Sequence, residues 1–270
     1  MPTTPTGRRA QNRAARHAQL LSAATEIIST KGLDGLTMQA VAEIVDCAVG
    51  TIYTYFPSKT ALLSELQIAA IRTLQATFDA SLSVWDEELA ADEVDERVAA
   101  LARLVAFGHL FTAGPELHPR EFELLQVLIS TPNRESGDDG PDVLPHALLL
   151  INEFRLLIDR AVELGVLDAG GAGADEANRI EVSMSRTLRW AGGLNGALLV
   201  SNAQPDDRLV PQLLDGRTLA LQLAADLLRG WGASPEQLQD AAEVVAQLGI
   251  RDRLLVRGDS PVSLTDAAPA

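Results

Sequence analysis

The sequence predicts an all-α protein, with an N-terminal three-helix helix-turn-helix domain followed by a larger helical domain. Ala, Leu, Glu, Gln and Arg, all good helix formers, dominate the chain. The sequence lacks alternating runs of β-branched residues, and its Gly and Pro residues lie between long segments with helical periodicity. A chain of 270 residues is long enough to form one large domain or two smaller ones.

The first predicted helix runs from about Arg13 to Lys31. Gly32 follows at the position where helices commonly end, and Lys31 suits the last turn. Residues 1–12 contain arginines but no acidic residue, and we expect them to form a disordered basic arm. Apolar residues repeat along the helix at steps of three and four: Leu20, Leu21, Ala24, Ile27 and Ile28.

Two short helices come next, joined by a tight turn. Thr37 is the predicted N-cap of the first short helix. The second spans residues 48–56, with Ile52 and Phe56 facing the core, and Ser58 can cap a long helix that begins after it. This arrangement is the helix-turn-helix pattern. The outward residues of the second short helix are small and uncharged, which suits a helix that enters the major groove of DNA.

The rest of the chain is predicted to be helical, with breaks at Gly114-Pro115, at 132–141, in the glycine cluster 168–173 and at Gln204-Pro205. We therefore expect a helix-turn-helix domain over 13–58, a helical domain over 59–232, and an additional short helix with a flexible tail over 233–270. The predicted helices after residue 58 are 59–84, 94–113, 116–131, 142–167, 175–202, 208–231 and 235–248.

The net charge of −15 hides a division of the chain into two unlike parts. Residues 1–72 carry seven Lys or Arg and five Asp or Glu, a net charge of +2. The other 198 residues carry fifteen and thirty-two, a net charge of −17. A basic N-terminal part ahead of an acidic body indicates nucleic-acid binding at one end, although a solvated tail would give the same asymmetry.

Several classes of protein are disfavoured by the sequence. A single cysteine, Cys47, excludes a disulfide framework and a cysteine-based zinc site. The first residues do not read as a secretory signal, and no uninterrupted apolar run reaches the length of a membrane helix. The four histidines are scattered, and the motifs of common hydrolases, zinc peptidases and dinucleotide-binding enzymes are missing. We expect a cytoplasmic protein with no catalytic site, no metal, no cofactor and no membrane contact.

One motif is highly specific: Gly50-Thr51-Ile52-Tyr53-x-Tyr55-Phe56-x-x-Lys59-x-x-Leu62. Together with Ala24, Lys31-Gly32 and Thr37, it resembles the DNA-binding segment of the TetR family of transcriptional regulators, over about residues 14–66. The resemblance implies a homodimeric, sequence-specific regulator of double-stranded operator DNA. It also implies that a small-molecule effector releases a repressor from a pseudo-palindromic operator.

The resemblance further implies which residues contact DNA. Thr37, Tyr53, Tyr55 and Lys59 would reach phosphates, although each tyrosine could instead be a half-buried core aromatic. Since the recognition helix has no Arg, Asn or Gln for bidentate base contacts, we expect apolar contacts with thymine methyl groups and help from arginines of the arm. The predicted DNA-binding residues are Arg13, Arg16, Thr37, Ala48, Val49, Gly50, Thr51, Tyr53, Thr54, Tyr55 and Lys59.

The turn departs from the family pattern, which usually has Gly-Val-Ser where this chain has Asp46-Cys47-Ala48. Asp46 can adopt the left-handed backbone of the missing glycine, though less readily. Cys47 is predicted to be a small buried apolar residue, with a redox switch as the alternative. Ala48 lacks a hydroxyl that would cap the recognition helix, at a cost of about 1 kcal/mol.

The effector and dimer sites are predicted from the second domain. The resemblance implies that its apolar helices enclose a hydrophobic or amphipathic small molecule, and the candidate polar or aromatic anchors are Phe107, His109, Phe111, Gln126, Asn152, Arg155, Trp190 and Asn195. Glycines inside segment 175–202 suggest close approach of a helix from a second subunit, with room for packing inside one subunit or for a ligand as the alternative. The predicted dimer residues are Gly192, Gly193, Gly196, Leu213 and Leu221.

Three alternatives remain open at this stage. The same fold could activate transcription or act without a small molecule. A nucleoid or partner-binding protein would bind DNA without sequence preference, which a steep salt dependence with no preferred site would reveal. An enzyme is the third alternative, and the sequence shows no recognisable set of catalytic residues for it.

Overall fold

The structure, a computed structural model, describes residues 5–130, 142–171, 176–202 and 215–256. These residues form ten α-helices, a short 3-10 helix at Leu33–Gly35 and no strand, as the sequence predicts for an all-α protein. The helices are α1 Pro5–Lys31, α2 Met38–Val45, α3 Val49–Tyr53, α4 Lys59–Ala91, α5 Glu96–Leu117, α6 Pro119–Ser130, α7 Leu144–Glu163, α8 Glu176–Asn202, α9 Gly216–Gly230 and α10 Pro235–Ile250.

The described chain divides into two compact units. The first comprises 5–76, 118–130 and 142–147, and the second comprises 77–117, 148–171, 176–202 and 215–256. Helix α4 supplies its first 18 residues to the first unit and the rest to the second. The predicted boundary at residue 58 therefore lies earlier in the chain than the boundary between the compact units.

The core of the first unit is built by α1 to α4, with Leu124 of α6 added to it. Ile52 and Phe56 are fully buried there, as predicted, because they occupy the inner face of the segment that follows the turn. Helix α6 is tied to this unit by side-chain hydrogen bonds. Gln67 Nε2 donates to the Leu124 carbonyl at 3.4 Å, and Glu123 Oε1 accepts from the Leu33 amide at 3.2 Å.

The second unit has its own larger core, formed by the later part of α4 together with α5 and α7 to α10. Helix α8 packs along α9, and α5 packs against α9 and α10. Helix α5 is long and apolar enough to cross a membrane by composition. Most of its most apolar stretch is buried inside the protein, however, which is typical of a core helix.

Several helix boundaries differ from the sequence prediction, and two of these differences have a local physical reason. Residues 5–12, expected to form a disordered arm, are the first turns of α1, because Pro5 is tolerated in a first turn and Ala, Arg and Gln favour helix. Helix α5 continues through Pro115, where a break was predicted, and ends at Leu117. Because Pro115 lies in the last turn of α5, it disturbs few of the backbone hydrogen bonds that hold the preceding part of the helix.

The short helix predicted for the C-terminal extension is α10, and of the predicted tail only residues 251–256 are among the described residues. Helix α10 begins with a capping box, in which Ser234 Oγ accepts from the Gln237 amide at 3.2 Å. Residues 251–256, here called the C-terminal strap, then run back along α4. Trp85 Nε1 donates to the Leu254 carbonyl at 3.0 Å, and Arg251 pairs with Glu88 at 2.9 Å.

Candidate nucleic-acid interface

The helix-turn-helix is positioned by local backbone signals. Gly32 adopts φ 68° at the end of α1, as a terminating glycine does. Thr37 Oγ1 accepts from the Ala40 amide at 3.0 Å and so caps α2. Asp46 ends α2 with φ 49° and ψ 61°, which confirms that it takes the left-handed conformation usual for glycine. These features direct α3 away from α2 after a short turn.

Ala48 and Cys47 occupy the two other unusual positions of the turn. Ala48 is the N-cap residue of α3 and offers no side-chain hydrogen bond, so this helix starts without the cap that α2 has. Cys47 is half-buried and packs against the core of the first unit. Cys47 was predicted to be a small buried apolar residue; it packs as an apolar residue but is only half-buried.

The recognition helix α3 exposes uncharged groups. Gly50 is exposed, and a Cβ placed on it would meet nothing within 4 Å. Tyr53 is 50% exposed, and Thr54 is exposed next to it. The Thr54 hydroxyl donates to the Thr51 carbonyl at 2.7 Å, which leaves the methyl group of Thr54 for apolar contacts. Val49 is half-buried against the core, so less of it is accessible than the sequence pattern suggests.

The predicted phosphate-binding residues differ in accessibility. Thr37 and Lys59 are exposed, and Lys59 is the first residue of α4, where the helix dipole also favours an anion. Tyr55 is half-buried and packs against the core, which favours the alternative reading of this residue as a core aromatic. Tyr53 is the more accessible of the two tyrosines.

Arg13 and Arg16, the two arginines of α1 that are predicted to contact DNA, have protein partners near the same surface. The guanidinium of Arg13 lies 5.5 Å from the centre of the Tyr55 ring, a cation–π distance. Arg16 donates to Gln19 Oε1 at 3.2 Å and to the Val45 carbonyl at 3.5 Å, so it braces α1 against the end of α2. Arg13 is exposed and Arg16 is half-buried.

His17 is a residue of this region that the sequence analysis did not select. Its Nε2 lies 2.9 Å from Glu65 Oε2, and its ring lies 4.8 Å from the Phe56 ring. The pair joins α1 to α4 behind the recognition helix. Only the three-dimensional contact reveals this role, because His17 and Glu65 belong to no common sequence motif.

The predicted effector residues fall into two groups. Gln126 lies in the first unit and the other seven lie in the second. Phe107, Phe111 and Trp190 meet in one aromatic cluster, which also takes in Phe78 and Phe154. Phe78 was not among the predicted residues, because it lies far from the others in the chain and belongs to no motif.

The polar effector candidates are mostly engaged within the protein. Arg155 donates to Asn152 Oδ1 at 2.9 Å and pairs with Asp159. Asn195 is buried. Burial, and secondarily the positive charge of Arg217, lowers the pKa of His109 below its usual 6.5. Two surface depressions beside α8 include none of the predicted effector residues.

The predicted dimer residues lie on α8 and α9, apart from Leu213, which is outside the described residues. A Cβ on Gly193 would lie 2.8 Å from Leu223 Cδ2, so this glycine allows close packing of α8 on α9 within one chain. Gly192 and Gly196 are exposed and would meet nothing. Leu221 is half-buried on α9.

Three comparisons with known proteins bear on this arrangement. Residues 20–66 match the family described as bacterial regulatory proteins, tetR family, which confirms the resemblance stated from the sequence. The HTH-type transcriptional repressor KstR of Mycolicibacterium smegmatis is 50% identical over 48 residues, which are 18% of this chain and 24% of that protein. KstR of Mycobacterium tuberculosis is 48% identical over 48 residues, 18% of this chain and 22% of that protein. The similarity therefore spans about a quarter of the length of these curated relatives.

Similarity in fold extends much further than similarity in sequence. The crystal structure of RolR with resorcinol aligns with a TM-score of 0.53 and 19% identity, covering 87% of this chain and 95% of RolR. RolR without ligand aligns with a TM-score of 0.51 and 18% identity, covering 83% and 96%. At this identity the likeness concerns the fold alone: a helix-turn-helix head followed by a larger helical domain.

Proposed function

The chain carries the DNA-binding segment of the TetR family of bacterial regulatory proteins over residues 20–66, and on this basis we propose that it is a sequence-specific transcriptional repressor released by a small molecule. The observation that carries the proposal is the shape and chemistry of α3. This helix has no charged residue, exposes Gly50 and Tyr53, and follows a capped α2 after a tight turn. Such a helix can approach base edges without burying an unpaired charge.

In the proposed complex, phosphate contacts fix the position of the head and α3 reads the bases. Thr37, Tyr53 and Lys59 supply the phosphate contacts. The methyl group of Thr54 supplies an apolar contact to thymine, since its hydroxyl is already bonded to the backbone. Arg13 extends the basic surface from α1, while Arg16 has mainly a bracing role because its guanidinium is engaged with Gln19 and Val45.

The proposed repressor acts as a homodimer on a pseudo-palindromic operator, with one recognition helix in each of two successive major grooves. Exposed apolar residues on α8, among them Leu188 and Leu199, support pairing through this helix. The exposed Gly192 and Gly196 would allow a second backbone to come close. Leu221 and Leu213 are proposed to complete the interface.

The proposed effector binds in the second unit and favours a dimer whose recognition helices no longer match the two half-sites. Release requires that the ligand bind this state more tightly than the DNA-bound state. Helix α4 supports such coupling because it contributes residues to both compact units. The proposed effector is hydrophobic or amphipathic, as the apolar composition of the second core indicates.

The decisive experiment titrates the full-length protein against labelled DNA from upstream of its own gene, with unlabelled nonspecific DNA as competitor. Specific binding that survives the competitor supports a regulator, whereas equal binding to all sequences favours a nucleoid protein. Reporter transcription with and without the protein then separates a repressor from an activator of the same fold.

The two lysines of the chain provide a matched pair of variants for the same titration. Lys59→Ala should lower affinity and reduce the slope of log K against log salt by about one unit, because one phosphate contact is lost. Lys31→Ala removes the same charge from an exposed residue at the end of α1 to which the proposal assigns no phosphate contact, and it should leave the slope unchanged. Equal slopes for the two variants would contradict the role of Lys59.

A further inference from the structure

The indole N–H of Trp190 is a buried donor with no acceptor among the residues that the structure describes. Trp190 lies on α8 and is fully buried. Another fully buried tryptophan, Trp85, behaves differently, since its Nε1 donates to the Leu254 carbonyl at 3.0 Å. Buried donors in proteins nearly always have a partner, because leaving one unpaired sacrifices the hydrogen bonds that water would make.

Trp190 lies within a cluster of aromatic rings. Its ring centre is 4.3 Å from that of Phe154, 5.1 Å from that of Phe107 and 5.4 Å from that of Phe111. Phe78 extends the cluster, at 4.9 Å from Phe107. These side chains have flat apolar surfaces and offer the indole N–H no strong acceptor. The surroundings therefore suit an apolar ring, and the indole N–H of Trp190 is the polar group that they leave without an acceptor.

The six-membered edge of the Trp190 indole borders a small gap. Gly108 of α5 is buried, and a Cβ placed on it would lie 3.7 Å from Trp190 Cζ2, 3.7 Å from Leu221 Cδ2 and 3.8 Å from Ala224 Cβ. These are ordinary contact distances, so one more carbon would fit without a clash. In the indole, Cζ2 is two bonds from Nε1, which places this gap close to the unmatched donor.

We propose that Trp190 Nε1 is the polar anchor of a binding site for an uncharged aromatic compound that carries an oxygen acceptor, such as an aryl ketone, ester or phenol. The proposal rests on the proposed function, since it identifies the chemistry of the effector site. Because the gap beside the indole takes only one more carbon, the phenylalanines must move apart to admit the ring of the ligand, which then packs against them in the offset or edge-to-face arrangements that aromatic rings prefer. Its oxygen accepts the N–H. A carboxylate is disfavoured because the cluster offers no cation to offset its burial.

Acetophenone and α-methylstyrene are suitable probes, because they share one shape and differ by an oxygen in place of a methylene carbon. Full-length protein labelled with 15N-tryptophan is titrated with each, and the indole signals are followed by NMR. Acetophenone should bind about tenfold more tightly, the difference expected for one buried hydrogen bond. It should also move the Trp190 indole proton downfield, which α-methylstyrene should not do.

Three variants identify the group responsible. Trp190→Phe keeps a ring and removes the donor, so its affinity for acetophenone should fall about tenfold while its affinity for α-methylstyrene stays unchanged. Gly108→Ala fills the gap beside the indole and should weaken both probes without lowering Tm. Trp85→Phe is the matched control: it should keep both affinities and lower Tm, since the Leu254 carbonyl loses its donor.

The proposal is overturned if Trp190→Phe binds acetophenone as tightly as the unaltered protein, if the two probes bind equally, or if acetophenone does not bind. It is also overturned if the Trp190 indole signal shows a persistent bound water in the ligand-free protein that acetophenone does not displace. Operator binding without any probe is a separate measurement. Acetophenone binding at Trp190 that leaves the operator complex intact would uphold this site and refute release by a ligand there.

Discussion

Replacing Ala48 with serine supplies the N-cap hydroxyl that α3 lacks. Ala48 has φ −67° and ψ 140° and makes no side-chain cap hydrogen bond. Ser234, with φ −75° and ψ 156°, has nearly the same backbone and accepts from the Gln237 amide at 3.2 Å. The backbone at Ala48 is thus already in a conformation from which a serine hydroxyl can cap a helix. Ala48 is exposed, so the added oxygen displaces no packed side chain.

The expected gain is about 0.5 to 1 kcal/mol in the free energy of unfolding, the lower part of the range for N-caps. The gain is at the low end because the Thr51 amide already donates to the Ala48 carbonyl at 2.8 Å. The new hydroxyl therefore finds one fewer unpaired backbone N–H at the start of α3. For a chain of this size, the gain corresponds to a rise in Tm of about 1 to 4 °C. The hydroxyl also offers a phosphate contact, so operator affinity should rise.

Thermal and urea unfolding of the full-length protein measure this effect, with Thr37→Ala as the opposite variant. Thr37 caps α2 through the Ala40 amide, and its loss should cost about 1 kcal/mol. A lower Tm for Thr37→Ala together with no rise for Ala48→Ser would show that the missing cap does not limit the stability of α3. An unchanged operator affinity for Ala48→Ser would refute the phosphate contact.

Three further predictions concern other residues. Asp46→Gly should raise stability by about 1 kcal/mol in urea unfolding and strengthen operator binding, because it relieves a left-handed backbone and removes a carboxylate near DNA; lower stability would contradict this. The lowered pKa of His109 means that the unfolded chain binds its proton more readily, so stability should fall as pH drops below 6.5, and less steeply in His109→Gln. Gly192→Ala and Gly196→Ala should each stabilise helix α8 by up to about 1 kcal/mol and yet weaken the dimer, as measured by light scattering. An unchanged dimer would contradict the proposed interface.

The helix-turn-helix could be predicted from the sequence because its signals are local. Gly32, Thr37 and Asp46 act through their own backbone conformation or through an amide three residues away, and the structure has each in the expected role. Ile52 and Phe56 were assigned to the core from spacing alone, and both are fully buried. Where residues act through neighbours in the chain, periodicity and capping rules suffice.

The second unit could be predicted only in outline, because its contacts join distant parts of the chain. Helix α4 extends to Ala91, seven residues past the predicted end, in the region where Trp85 and Glu88 contact the C-terminal strap. The sequence around Trp85 contains no signal that predicts its contact with Leu254. The role of Gly193, which makes room for Leu223 within the same chain, likewise depended on how α8 and α9 are placed.

Sequence alone is enough to predict that the chain is helical, that a groove-sized helix without charge follows a basic segment, and that this head resembles one family of regulators. These properties follow from local propensity, capping and a motif of fixed spacing. The aromatic rings that meet around Trp190, and the lack of an acceptor for its indole N–H among the described residues, are known only from the three-dimensional structure. Such properties depend on packing between helices that are far apart in the chain, and local sequence carries little information about that packing.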